Sequence, residues 1–165
     1  MARPPVLPIN QEQDYFDKFI DEISPYFKNS NIPLDFNGYK ETVELYSTLN
    51  ANEGGKAWEL SRDFNMWSEY FSQLKALCEK YFLDSEVDEK EIFSNASSLA
   101  DVKSVSNGDR LANKDSEVVS SRKIKNNLKA FSTLLDSEID FSNKAHHHCK
   151  NLCQMLNAIQ QCQPK

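Results

Sequence analysis

The stretch from Gly54 to Leu83 constrains this chain more than any other. Its residues Ala57, Leu60, Phe64, Trp67, Phe71, Leu74, Cys78 and Tyr81 follow one another by alternating steps of three and four. That spacing is the seam of an amphipathic helix. Trp58, Tyr70, Leu77 and Phe82 flank the seam and widen the apolar surface. A helix this apolar must be covered, so the rest of the chain is read for what covers it.

The best complement lies near the C-terminal end. Ile124, Leu128, Phe131, Leu135, Ala145, Cys149, Leu152, Leu156 and Ile159 keep the same alternation, and neither Pro nor Gly interrupts residues 115–161. Asp115 is placed to cap this helix, with Glu117 in the first turn, where the helix dipole favours an acid. Glu138 and Ser142 occupy the seam midway, a drift that marks a bend or a change of packing partner. A helix of this reach, at 1.5 Å per residue, spans roughly 65–70 Å. It outruns the Gly54–Leu83 helix about twofold, so part of its seam is predicted to project or to pair with another copy.

Two shorter helices precede Gly54. One runs from Asn10 to about Lys28 on Tyr15, Phe16, Phe19, Ile20, Ile23 and Phe27, with Pro25 as a possible early stop or bend. The other covers roughly Asn37–Asn50 with Tyr39, Val43, Tyr46 and Leu49 on one face. Residues 1–9 carry Pro4, Pro5 and Pro8 and read as an extended arm of polyproline character. Residues 84–114 are acidic, then rich in Ser and Asn, and Asn107-Gly108 is a turn signal. They read as a long irregular connection with room for a short helix near 86–94.

The predicted fold is therefore all-α, with one domain in 165 residues. An N-terminal part (10–83) of three shorter helices packs on the long C-terminal helix (115–161). Only four glycines and no regularly spaced turn signals disfavour an all-β chain. No apolar run approaches the length of a membrane span, and the first ten residues lack the apolar centre of a signal peptide. With no export signal, Cys78, Cys149, Cys153 and Cys162 are expected as reduced thiols in a cytoplasm.

Catalytic signatures are missing. Glu41/Glu44 form an E-x2-E pair and Asp136/Asp140 lie one turn apart, but no E-x2-D follows to complete the metal-binding set of all-α nucleotide pyrophosphatases. No glycine-rich phosphate loop, G-x-S-x-G or H-E-x2-H occurs. A non-enzymatic protein without cofactor is expected.

Three binding readings remain. Trp58, Trp67, Tyr70, Phe71, Phe131, Leu135, Leu152 and Leu156 supply the aromatic and aliphatic anchors of an interface. This predicts a helical assembly protein that forms homo-oligomers or joins a larger complex through coiled-coil-like contacts, with the proline-rich arm gripping a neighbouring surface. The Asn, Ser and Lys usage suits a phage or an AT-rich microbial genome. A second reading takes Arg122, Lys123, Lys125 and Lys129 as a basic turn for nucleic acid, or for the acidic run Asp84–Glu91 of the same chain. The net charge of −6 speaks against broad nucleic-acid coating. The weakest reading is a metal-linked sensor. His146, Cys149 and Cys153 share a helix face, with Cys78 as the remaining donor, but paired cysteine knuckles are missing. Adjacent His146, His147 and His148 point about 100° apart and cannot converge on one ion.

Overall fold

In the computed structural model, residues 9–28, 30, 32–99 and 105–161 are described. Five helices occupy them: α1 (Ile9–Phe27), α2 (Asn37–Ser47), α3 (Gly54–Leu99), α4 (Val105–Ala112) and α5 (Ser116–Gln161). No strand occurs among the described residues. The fold is an all-α bundle. No described helix is long and apolar enough to cross a membrane.

Its frame is the antiparallel pair α3 and α5. As numbers rise along α3 they fall along α5. Cys153 Sγ donates to the Gly54 carbonyl at 2.8 Å, Ser68 Oγ to Asn143 Oδ1 at 2.9 Å, and Lys75 Nζ lies 2.6 Å from Asp136 Oδ1. Farther along, Cys78 Sγ reaches the Leu128 carbonyl at 3.1 Å and Arg122 Nε reaches Glu89 Oε1 at 2.8 Å. The core between them contains Ala57, Leu60, Phe64, Phe71, Leu74 and Cys78 from α3. Leu128, Phe131, Leu135, Ala145, Cys149 and Leu152 face them from α5. Asp115 caps α5 as its position predicts, its Oδ1 accepting from the amides of Glu117 (2.8 Å) and Val118 (3.4 Å).

Among the described residues, the connection expected over 84–114 is largely helical rather than irregular. Helix α3 continues past Leu83 to Leu99, residues 105–112 form α4, and only Asn113–Asp115 separate α4 from α5. Asn107 and Gly108 lie inside α4 rather than in a turn. Residues 84–99 contain no Pro or Gly, and a seven-residue row (Ala57, Phe64, Phe71, Cys78, Ser85, Ile92) runs straight through them. The apolar signal fades because Ser85 and Asp88 stand where larger apolar residues stood before. Helical register does not fade with it.

This changes the lengths. Helices α3 and α5 have 46 residues each, roughly 69 Å at 1.5 Å per residue. The expected twofold mismatch, with half of the α5 seam left over, does not occur, because α3 runs beside α5 over its full length.

Helices α1 and α2 lie on this pair. Phe27 packs edge-on against Tyr81 and Phe131, with ring centroids 5.4 and 5.6 Å away, and Phe19 meets Phe131 at 6.1 Å. Helix α1 runs through Pro25 to Phe27. Of the arm expected over residues 1–9, Ile9 belongs to α1 and residues 1–8 lie outside the described ones.

Phe131 is fully buried where α1, α3 and α5 meet. Phe131→Ala is expected to destabilise the fold by about 3–5 kcal/mol, as loss of a buried aromatic does. Leu45→Ala, at a residue 60% exposed, should change stability by no more than about 0.5 kcal/mol. Urea unfolding followed by circular dichroism measures both.

Candidate functional site

Helix α2 is held by a cluster of aromatic rings built on α3. Tyr39 contacts Trp67 and Phe71 at 5.5 and 4.8 Å between centroids, and Tyr46 meets Phe64 at 5.2 Å. Polar atoms fix their orientation. Trp67 Nε1 donates to Thr42 Oγ1 at 3.3 Å, and Thr42 Oγ1 donates to the Gly38 carbonyl at 2.8 Å. The Tyr70 hydroxyl donates to the Pro33 carbonyl and accepts from the Asp35 amide.

Across the groove, Tyr39 Oη donates to Glu138 Oε2 at 2.5 Å. Burial pushes the Tyr39 phenol far above its ordinary value, and the neighbouring Glu138 carboxylate adds to the rise. The hydroxyl therefore stays a donor throughout the accessible pH range. Glu138, the polar interruption in the α5 seam, is taken up by Tyr39 of α2, while α3 stays beside α5 on either side of it through Lys75–Asp136 and Ser68–Asn143.

The expected interface residues divide accordingly. Phe71, Phe131, Leu135 and Leu152 are buried in the core. Trp67, Tyr70 and Leu156 are half-buried and packed on it. Within one chain, seven of the eight are already occupied, and Trp58 alone stands open, 62% exposed. An aromatic at helical spacing reads the same in sequence whether a neighbouring helix or a partner covers it.

The basic turn meets the acidic run of its own chain. Glu89 receives Arg122 Nε at 2.8 Å and also Lys125 Nζ. Arg122 Nη1 reaches Asn113 Oδ1 at 2.7 Å, and its guanidinium lies 5.6 Å from the Phe93 ring centroid. The hydrogen bonds from Lys125 first, then from Arg122, hold the Glu89 carboxyl below the usual range. Lys123 and Lys129 remain exposed.

The His and Cys residues do not converge. His146 Nδ1 donates to the Ser61 carbonyl at 2.7 Å, while His148 Nδ1 pairs with the Tyr46 hydroxyl at 2.9 Å. Cys153 is committed to the Gly54 carbonyl. Cys149 is buried, and desolvation, with Cys153 adding to it, pushes its thiol up to about 11. Cys78 lies beside Leu128, and 149 − 128 = 21 residues of helix, about 31 Å, separate that level from Cys149. It cannot be a fourth ligand. Among the described residues no group of three His, Cys, Asp or Glu could hold a metal ion. Cys162 lies outside them.

Of the carboxylate pairs, Asp136 and Asp140 are engaged, Asp136 with Lys75 and Asp140 with Lys144 at 2.5 Å. Ser61 Oγ lies 3.1 Å from His146 Nδ1, the ring nitrogen that also faces the Ser61 carbonyl.

Sequence reasoning missed an open groove of about 370 Å³ between the far halves of α3 and α5, whose lining includes Ser85, Asp88, Ile92, Glu117, Ser120 and Ile124. It also missed Leu83 and Val87, 60% and 64% exposed one turn apart on α3. The small and polar residues in the seven-residue row past Cys78 were the available signal.

No protein-family model, no curated protein and no solved structure matches this chain.

Two outcomes test this surface. Tyr39→Phe strips Glu138 of a buried donor and should cost about 1–3 kcal/mol, with amide exchange rising first in α2. The Glu89 pairs, having a lowered folded-state pKa, should stabilise fully above about pH 4.3, the ordinary Glu value. That contribution should be lost as pH falls through the lower folded value. Urea midpoints of the wild type and Glu89→Gln should therefore differ at pH 7 and converge toward pH 3.

Proposed function

We propose that this chain is a non-enzymatic helical interaction protein that acts by self-association or by joining a larger assembly. One observation carries the reading. Among the described contacts, α1 and α2 cover the α3–α5 pair only as far as Tyr81 and Asn127. Past that level the described contacts include α4 against α3 near their shared end, and Leu83, Val87, Leu111 and Val119 are each at least half exposed. Apolar residues a turn apart on a helix form a continuous strip, the geometry of a helix–helix contact. The contact proposed is therefore the outer face of α3 around Leu83 and Val87, and Trp67 is a clamp for α2 rather than an interface anchor.

The reading also assigns a reducing, cytoplasmic setting, supported by the free thiols of Cys78, Cys149 and Cys153. The nucleic-acid alternative is weaker, because Glu89 already engages both Arg122 and Lys125, leaving Lys123 and Lys129 exposed. It would show as single-strand binding that falls steeply with salt.

Multi-angle light scattering at tens of micromolar decides the main reading. A mass above one chain is expected, returning to one chain in Leu83→Lys/Val87→Lys with helicity unchanged. A wild-type monomer under those conditions overturns it.

A further inference from the structure

Leu83 and Val87 belong to an exposed row on α3 that reads Ala76, Lys80, Leu83 and Val87, by steps of four, three and four. Lys90 continues the row, and Glu79, Asp84, Glu86 and Glu91 flank it. Helix α5 carries an exposed row of the same rhythm: Val119, Lys123, Asn126 and Ala130. Around that row, residues 118–135 include Arg122, Lys123, Lys125 and Lys129 and no carboxylate. One row is therefore acidic along its edges and the other is basic.

The charges decide which surface each row fits. Laid antiparallel on a second α3 with Leu83 against Val87, the first row brings Lys80 against Lys90 and acids against acids at both edges. A parallel pairing sets Lys80 on the Lys80 of the second copy. Like charges opposed across a helix pair are unfavourable. The α5 row of another copy removes both conflicts. Laid antiparallel with Val87 against Val119, the equal steps set Leu83 against the Lys123 stem, Lys80 against Asn126 and Ala76 against Ala130. Lys90 then falls opposite Ser116, and the Lys123 ammonium falls beside Asp84.

We propose that copies of this chain associate head to tail, the outer α3 row of one copy on the outer α5 row of the next. This rests on the self-association reading and names its second surface. Within one chain, Cys78 and Ser85 of α3 and Ser121 and Leu128 of α5 are buried on the inner faces of the pair, so the two outer rows point away from each other. A contact between unlike surfaces set back to back leaves one of each free at the ends of a pair. Growth then continues into a row of copies or closes as a ring.

Two blocked variants and their mixture test this by multi-angle light scattering at tens of micromolar. Leu83→Lys/Val87→Lys blocks the α3 row, and Val119→Gln/Ala130→Gln blocks the α5 row without giving the two altered rows opposite charges. Each alone is expected at the mass of one chain. A 1:1 mixture is expected at the mass of two, because one intact row of each kind remains and growth ends there. An α5-row variant that associates like the wild type, or a mixture that stays at one chain, overturns the head-to-tail contact while self-association through another surface stands. A wild type at the mass of one chain overturns the self-association reading and this proposal with it. Charge swaps carry the test even where a blocked variant loses helicity. Lys123→Glu should weaken association about fivefold and Asp84→Lys/Lys123→Glu should restore it, as an exposed ion pair would dictate. Equal association in the wild type and both swaps overturns the pairing.

Discussion

Antiparallel pairing of α3 with α5 is the interaction on which the rest of the structure depends. Each helix is 46 residues long, and each carries apolar residues in seven-residue rows that keep one face toward the other helix over its whole length. Two helices alone cannot bury rings as large as Phe64, Phe71 and Phe131. Helices α1 and α2 supply cover for them, with Phe27, Tyr39 and Tyr46 meeting those rings edge-on and Phe36, just before α2, stacking on Phe71. The four-helix part is thus a consequence of the aromatic content of the pair's near half. The far half carries the small residues Ser85 and Ser121 on its seam in place of such rings.

Polar residues on the seams act as addresses. A half-buried carboxylate is costly without a partner and acceptable with one, so each fixes who its neighbour is. Glu138 selects Tyr39 and thereby the seat of α2. Glu89 selects Arg122 and Lys125 and so registers the far half of the pair. Ser61 takes His146 at the opposite end. Along one rod the adhesive changes from apolar burial to charge pairing. Charge pairing is screened by salt while burial is not, so the two halves differ in how firmly they hold.

Some of this was legible beforehand and some was not. The Asp115 cap, the unbroken helix after it and the face carrying Phe64 through Cys78 follow from local residue types and spacing. The end of α3 was misread at Leu83 because apolar periodicity registers only residues that bury oil-like surface. In 84–99 helicity instead rests on the absence of Pro and Gly, and on Glu89 and Phe93 answering Arg122. The His146, Cys149 and Cys153 set was correctly placed on one turn-spaced helix face. That face looks toward the carbonyls of Ser61 and Gly54, which local spacing cannot reveal.

By itself the sequence determined that this protein is helical, where its seams run and which end of α5 is capped, because each depends on residues within a turn or two. Only the tertiary structure decided which seam faces which, that the two long helices match in length, and that Trp67 and Tyr70 are covered while Trp58, Leu83 and Val87 are not. The physical reason is that a hydrophobic stripe specifies burial without naming a partner. The naming is done by pairs such as Glu89–Arg122 and Tyr39–Glu138, which stand 33 and 99 residues apart and meet only once the chain has folded back on itself.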